Sequence, residues 1–470
     1  MRKKCGAVWL VLGSLGACVT DVAATVGETT AAGTTGSDDA AVDDGASTTI
    51  DQGLPEVPPP PACDEDEPCL LDILVVIDNS GSIQDAQRAA VLGLVDLVER
   101  LQVMPSVDVQ MMFTTTDVDA PRCDEFAHSG YVPAMGAPTT TGCAMRLRDF
   151  TPLGPGHDVR EDLCTRTCPV NLAPADSFVA FRGLDEGNVA AIPEGAELDI
   201  DDDGVPDSAA ARTVGCLAPQ GIAGCGHEAP LEAMRRALAQ DAPWNLGARP
   251  FLRAGSQLTI VLVADELDCS ADDPSVFDDP QYGTNGLASA VCWSAGVACR
   301  EPEADGVYTG CEATPEPLTS LSVYVERLTQ LRDLEGHDVA MVAITGVPTV
   351  TARSSDAPFE PVGGGLADLV VHDAREGTYP EGDVLPGEGE SAASLQSEYG
   401  IGAGCLFADP AFLHQARGIP NPRVNEVCSA LDTDGDDGAR VRCCVESVCD
   451  PVAALDCVVG WAEQAVAGTE

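Results

Sequence analysis

An almost unbroken apolar run from Leu70 to Ile77 stops at Asp78-Asn79-Ser80-Gly81-Ser82, and Ile83, Ala86, Ala90, Leu94 and Leu97 then recur at helical spacing. A β-branched run without polar alternation is the mark of a strand buried on both faces, as in parallel sheets covered by helices. A strand that feeds straight into a helix opens an α/β unit. The pattern returns down the chain. Val107 to Phe113, Leu258 to Ala264 and Val339 to Thr345 read as further strands, and Glu228 to Leu238, Val323 to Leu334 and Pro451 to Ala467 as helices. The expected fold class is α/β, a mainly parallel sheet flanked by helices. Long Gly-, Pro- and Cys-rich stretches at about 116–226, 266–317 and 346–404 read as insertions into one domain spanning 63–470.

Residues 1–18 place Arg2, Lys3 and Lys4 ahead of an apolar run too short to span a membrane, which is the pattern of an export signal. The segment ends Leu15-Gly16-Ala17-Cys18 and resembles the lipobox of bacterial lipoproteins, which implies that Cys18 carries lipid. Val19 leaves the outer membrane or cell surface as the expected address. Residues 19–62 are Thr, Ala, Gly, Asp and Ser closed by four prolines, and cannot bury a core. As a coil such a tether reaches about 35–40 Å.

Of the 20 cysteines, Cys5 lies in the leader and Cys18 at the lipobox, leaving an even 18 for disulfides in an oxidising compartment. Close pairs such as Cys63 with Cys69, Cys164 with Cys168, Cys216 with Cys225 and Cys292 with Cys299 could pin loops, and the adjacent Cys443 and Cys444 are expected to take different partners. Connectivity itself is not deducible from spacing. The formal net charge is −51, and no lysine follows Lys4. Such a field repels polyphosphates and anionic headgroups, so nucleic acid is excluded as a partner and the membrane is met only through the anchor.

Ligands of open parallel sheets bind beyond the carboxyl ends of the strands, where Asp78 to Ser82 would sit. One carboxylate and two hydroxyls on a tight turn supply hard oxygens suited to Mg²⁺, Mn²⁺ or Ca²⁺. The plainer reading is a capped helix with a solvated Asp78. The turn resembles the metal-ion-dependent adhesion site of von Willebrand factor type A domains, whose Asp-x-Ser-x-Ser follows the first apolar strand. Asp78, Ser80 and Ser82 match it, and Asp265, ending Val261-Leu262-Val263-Ala264, matches the family's later aspartate. The resemblance implies a Rossmann-like sheet, with Mg²⁺ or Mn²⁺ on those four residues and an acidic side chain of a partner completing the metal shell. It departs at the family's threonine, where Gly224 to Leu231 contains none and Cys225 stands nearest; Glu228 could substitute, or could stabilise a helix dipole. Glu266 and Asp268 read as a solvated acidic loop.

Asp199, Asp201, Asp203 and Asp207 recur at positions one, three, five and nine around Gly204, a spacing that resembles the Ca²⁺ loops of EF-hand and thrombospondin type 3 repeats, although Ala210 stands where glutamate is expected. Asp432 to Gly438 is a poorer version and reads as a solvated turn. The six histidines are scattered, and no nucleophile elbow or phosphate loop appears, so no enzyme is expected. The expectation is a monomeric, lipid-anchored module that captures a protein or surface polymer through a divalent cation. The alternative is a structural envelope protein with a vestigial metal site and calcium-stiffened loops.

Overall fold

Six strands make the central sheet: β1 (Cys69–Ile77), β2 (Val107–Thr115), β3 (Val179–Arg182), β4 (Gln257–Val263), β5 (Asp338–Thr345) and β6 (Cys443–Ser447). Their order across it is β6-β5-β4-β1-β2-β3. Every neighbouring pair is parallel except β2 with β3. This computed structural model describes residues 63–468 apart from 65, 121–122, 124–126, 153–157, 167, 169–171, 186, 190–198, 202–203, 283–288, 301–305, 374–391, 408–416, 436–437 and 452. Residues 1–62, on which the expected leader, the lipobox Cys18 and the expected tether fall, therefore lie outside the described residues.

The apolar runs form strands because both faces of the sheet are covered. Leu71, Ile73, Val75 and Ile77 of β1 pack with α1 (Gln84–Gln102), α2 (Ala209–Leu217) and α6 (Asp456–Ala467). Leu74 and Val76 point the other way, toward α3 (Pro230–Ala237), α4 (Leu321–Asp333) and α5 (Pro422–Ser429). A mainly parallel α/β sheet is thus observed as expected. Two of the six strands of this sheet, β3 and β6, escape sequence reading. Both lie at sheet edges, and each is only a few residues long.

The insertions carry small cores of their own. Cys143, Phe150, Val159, Leu163, Cys164, Cys168, Leu172 and Cys216 pack together in the first. Leu267, Val276, Phe277, Trp293, Ile401 and Ile419 belong to a core shared by the later ones. Nine disulfides use all 18 remaining cysteines. Cys63–Cys69 forms, and Cys443 and Cys444 take Cys428 and Cys457 respectively. The other close pairs do not form. Cys164 bonds Cys143 and Cys168 bonds Cys216, while Cys225 bonds Cys123, Cys292 bonds Cys269, and Cys299 bonds Cys311. Each sulfur crosses to a segment that folding brings beside it, so sequence proximity is a poor guide. Among the described residues no helix is long and apolar enough to cross a membrane.

Candidate metal centre

The centre is built where β1 and β4 end side by side, with connections leaving to opposite faces. The Asp78 amide donates to the Val263 carbonyl at 2.9 Å, continuing the ladder one residue beyond β1. Within the turn, the Ser80 amide donates to Asp78 Oδ1 at 2.7 Å and its hydroxyl to Oδ2 at 3.1 Å. Ser80 Oγ and Ser82 Oγ are 3.0 Å apart, so the two hydroxyls face one point. Gln87 of α1 clamps this turn to the first insertion: its amide nitrogen donates to the carbonyls of Asp78 and Gly221, and its oxygen accepts from the amides of Gln220 and Gly221.

Two further elements bring acid to the same point. Asp265 follows β4, its carbonyl accepting the Ile419 amide at 2.7 Å. Glu228 precedes α3, which starts only at Pro230 because a proline lacks a donor and suits the first helical turn. Left outside the helix, Glu228 is held by its carbonyl, which accepts the Cys269 amide at 2.6 Å, and its side chain turns into the site. One carboxylate oxygen each from Asp78, Glu228 and Asp265 lie within 4.8 Å of one another. Asp78 and Glu228 are fully buried and Asp265 is 2% exposed. Both oxygens of Glu228 and Oδ1 of Asp265 accept no hydrogen bond. Glu228 thus faces the cluster, where sequence reading also allowed a dipole role.

Burial, and then the charge of Asp78, holds the carboxyls of Glu228 and Asp265 well above their ordinary range. Glu266, half-buried, is pushed up to about 8 by the same two causes. Unpartnered buried oxygens converging on one point fit a hard divalent cation, whose charge removes the repulsion while three carboxylates and the serine hydroxyls supply the oxygen shell.

The four residues matched by resemblance are brought together, and two signals outside that match join them. Thr116, directly after β2, donates from Oγ1 to Asp78 Oδ1 at 3.3 Å. A threonine hydroxyl is therefore present, from a different part of the chain than the one searched; the strand was expected to end at Phe113, which hid it. Asp117 beside it accepts from Tyr131 OH at 2.8 Å and from the Cys225 amide at 3.1 Å, and Tyr131 OH in turn accepts from Asn79 Nδ2 at 2.8 Å. The first insertion is thereby tied to the turn. Gly224 lies so close to Asn79 that a Cβ there would fall 2.2 Å from Asn79 Oδ1, so the approach requires glycine. Cys123, Cys225 and His227 also gather near one another, but the two sulfurs are bonded together, and His227 stacks on Phe277 with centroids 4.2 Å apart.

The reading of Glu266 and Asp268 as a solvated loop is corrected. Asp268 is fully buried and pairs at 3.0 Å with Arg423, itself 1% exposed, while its Oδ1 accepts from Ser270 Oγ and the Leu231 amide. It anchors the start of α3 to α5, because a buried carboxylate persists only with a charge partner and full hydrogen bonding.

At the acidic loop, Gly204 takes φ +86° and its amide donates to Asp199 Oδ2 at 2.9 Å, while the Ile200 amide donates to Asp207 Oδ2 at 2.6 Å. Asp207 is 2% exposed, and its Oδ1 has no hydrogen-bond partner. Burial, partly opposed by the Ile200 amide, raises the Asp207 carboxyl to about 6; the charges of Asp201 and Asp199 add to the rise. Asp203 lies outside the described residues. The Asp432 stretch forms a hairpin, Thr433–Gly435 with Gly438–Arg440, and Asp432 Oδ1 accepts the amides of Arg442 and Cys443.

Fold and site define an α/β protein with an acidic centre at the carboxyl edge of a mainly parallel sheet. No family model matches the chain, and neither a curated protein nor a solved structure does.

Proposed function

We propose that this chain is a divalent-cation-dependent binding module of the von Willebrand factor A kind, exported and tethered by lipid at Cys18, which captures a protein or surface polymer at the carboxyl edge of its sheet. The carrying observation is the convergence of Asp78, Glu228 and Asp265 within 4.8 Å, buried, with unpartnered oxygens on Glu228 and Asp265. Asp78, Ser80, Ser82, Asp265 and Glu228 would hold Mg²⁺ or Mn²⁺, and Thr116 would orient Asp78. Asp199, Asp201 and Asp207 would hold Ca²⁺ and stiffen the first insertion. A binding role is favoured over an enzymatic one because the Ser80 and Ser82 hydroxyls lie beside the buried cluster of Asp78, Glu228 and Asp265, a set of hard oxygens suited to holding a cation.

The burial of the centre favours a second reading, in which the cation only locks the insertions and the protein is a structural part of the envelope. Titration calorimetry with Mg²⁺, Mn²⁺ and Ca²⁺, on the chain and on Asp78→Ala and Asp201→Ala, tests the first reading. Each substitution is expected to remove a different site. An Asp78→Ala chain that binds every cation as before would end the proposal, and one that loses the cation yet still captures its partner would leave the structural reading.

A further inference from the structure

We infer that the protein carries a second binding site, separate from the metal centre and independent of any cation, which takes a neutral saccharide. The site is a cavity of about 490 Å³ beside the start of β3, a size that suits a small ligand. Three segments wall it. Thr140 follows Thr139, whose amide donates to the Phe113 carbonyl of β2 at 2.7 Å. Asp176 and Ser177 lead into β3, and Trp244 and Arg249 belong to the connection from α3 to β4. Thr140, Leu246 and Arg249 are exposed, so the cavity opens to solvent.

The ligand class follows from the lining. Asp176 and Arg249 are its one acid and one base, and they pair at 2.8 Å, so their charges cancel. With the chain at −51 overall, nothing there draws in an anion, and Asp176 already has its counter-cation. Both bonds that Asp176 accepts, from Arg249 and from Asn188 Nδ2 at 2.9 Å, fall on Oδ2, which leaves Oδ1 as an acceptor for a ligand hydroxyl. The guanidinium has further donors, and the hydroxyls of Ser177 and Thr140 can donate or accept. Trp244 supplies the apolar half. Its side-chain donor, Nε1, is spent on the Ala237 carbonyl at 2.8 Å, so the indole adds only ring surface to the cavity. A sugar matches both halves, because its C–H face packs on an aromatic ring while its hydroxyls donate and accept around the edge. A purely apolar ligand would strip water from the ion pair and replace none of its hydrogen bonds. The walls are set before binding: Asn188 Nδ2 also donates to the Phe178 carbonyl at 2.8 Å, and Asn245 Nδ2 ties the Trp244 turn to the carbonyls of Ala237 and Ala239.

The test is saturation-transfer NMR on the full chain with neutral trisaccharides of glucose, mannose, galactose and N-acetylglucosamine, and with trigalacturonate as their acidic counterpart. At least one neutral trisaccharide is expected to receive saturation and trigalacturonate none, and the response is expected to persist in excess EDTA. Arg249→Ala, a change to an exposed side chain, and Trp244→Ala are each expected to weaken the neutral saccharide's binding at least about tenfold. The inference is overturned if no neutral trisaccharide responds, if trigalacturonate binds as well as they do, or if either folded variant binds like the parent chain, which would put the saccharide elsewhere. A response that EDTA abolishes would assign the saccharide to the metal centre, overturning this inference and supporting the cation reading. Arg249→Ala alone decides the mutational arm should Trp244→Ala fail to fold.

Discussion

Asp78, Glu228 and Asp265 come from three elements far apart in the chain and meet at the sheet's edge, whereas Asp199, Asp201 and Asp207 lie within nine residues on one insertion. The first group is fixed by the fold: strand ends set Asp78 and Asp265, and the delayed start of α3 frees Glu228. The second is fixed by its own turn, with Asp199 and Asp207 already accepting backbone amides. The difference teaches what cation binding can be coupled to. At the sheet edge a bound ion would bridge β1, β4 and α3 and so stabilise the whole domain, while in the loop it would order only the loop and what rests on it.

That contrast is broken most forcefully at Arg423. Asp268 sits between the sheet-edge centre and α5, holding the Leu231 amide at the start of α3. Arg423→Ala leaves Asp268 buried without its counter-charge, and unfolding by denaturant should show a loss of about 3–5 kcal/mol. Divalent binding at the sheet edge should weaken with it, and Ca²⁺ binding at the acidic loop should be unchanged. Equal weakening at both would mean that the two regions are not independent.

Removing the cation is the next largest change. With free metal at 100 times its dissociation constant, chelation should lower global stability by about 2.7 kcal/mol. Asp78→Ala should abolish that difference and Asp207→Ala should leave it, as read by thermal unfolding with and without chelator.

The sequence made the framework legible for a definite reason. Leu70 to Ile77, Leu258 to Ala264 and Val339 to Thr345 are buried on both faces, so their composition alone declares them. Val179–Arg182 and Cys443–Ser447 are short edge strands, and the latter carries Glu446, which no strand propensity would select but which Arg353 pairs at 2.6 Å. Asp78, Ser80, Ser82 and Asp265 were legible because each directly follows an apolar strand. Glu228 was ambiguous because an acid near a helix start has a local explanation, and only the packing of three elements shows where it points. Thr116 was missed through a strand end placed two residues short, and the disulfide partners because pairing is a property of the fold.

A pH series reads both regions without mutation, because the Asp207 carboxyl of the loop is raised only to about 6 while Glu266 at the sheet edge is raised to about 8. Carboxyls held above their ordinary value bind protons more tightly in the folded chain than in the unfolded one. For Glu266 that stability is complete below the ordinary value of 4.5 and is lost as pH rises through about 8, and Glu228 and Asp265 act in the same direction. The metal-free protein should therefore melt at progressively lower temperature across this window, with the metal-saturated protein much flatter. A metal-free melting temperature that rises across the window would contradict the clustering of charge at the sheet edge.

The smallest effect is expected at Asp207, and its smallness is the point. Its Oδ2 holds the Ile200 amide, and Ile200 is packed so closely against Gly215 of α2 that a Cβ there would fall 2.4 Å from Ile200 Cδ1. Ser208 meanwhile caps α2 by accepting the Ala211 amide. The loop is thus anchored at both ends without an ion, and losing one buried hydrogen bond to a backbone amide is worth about 1–3 kcal/mol locally. Asp207→Asn keeps an acceptor for Ile200 but removes a charged ligand. It should leave the melting temperature of the metal-free protein nearly unchanged while abolishing the Ca²⁺-dependent slowing of amide exchange across residues 199–217. If Ca²⁺ instead slows exchange equally in Asp207→Asn and in the parent chain, the buried free oxygen of Asp207 is not a ligand, and the loop's acidity serves only its own turn.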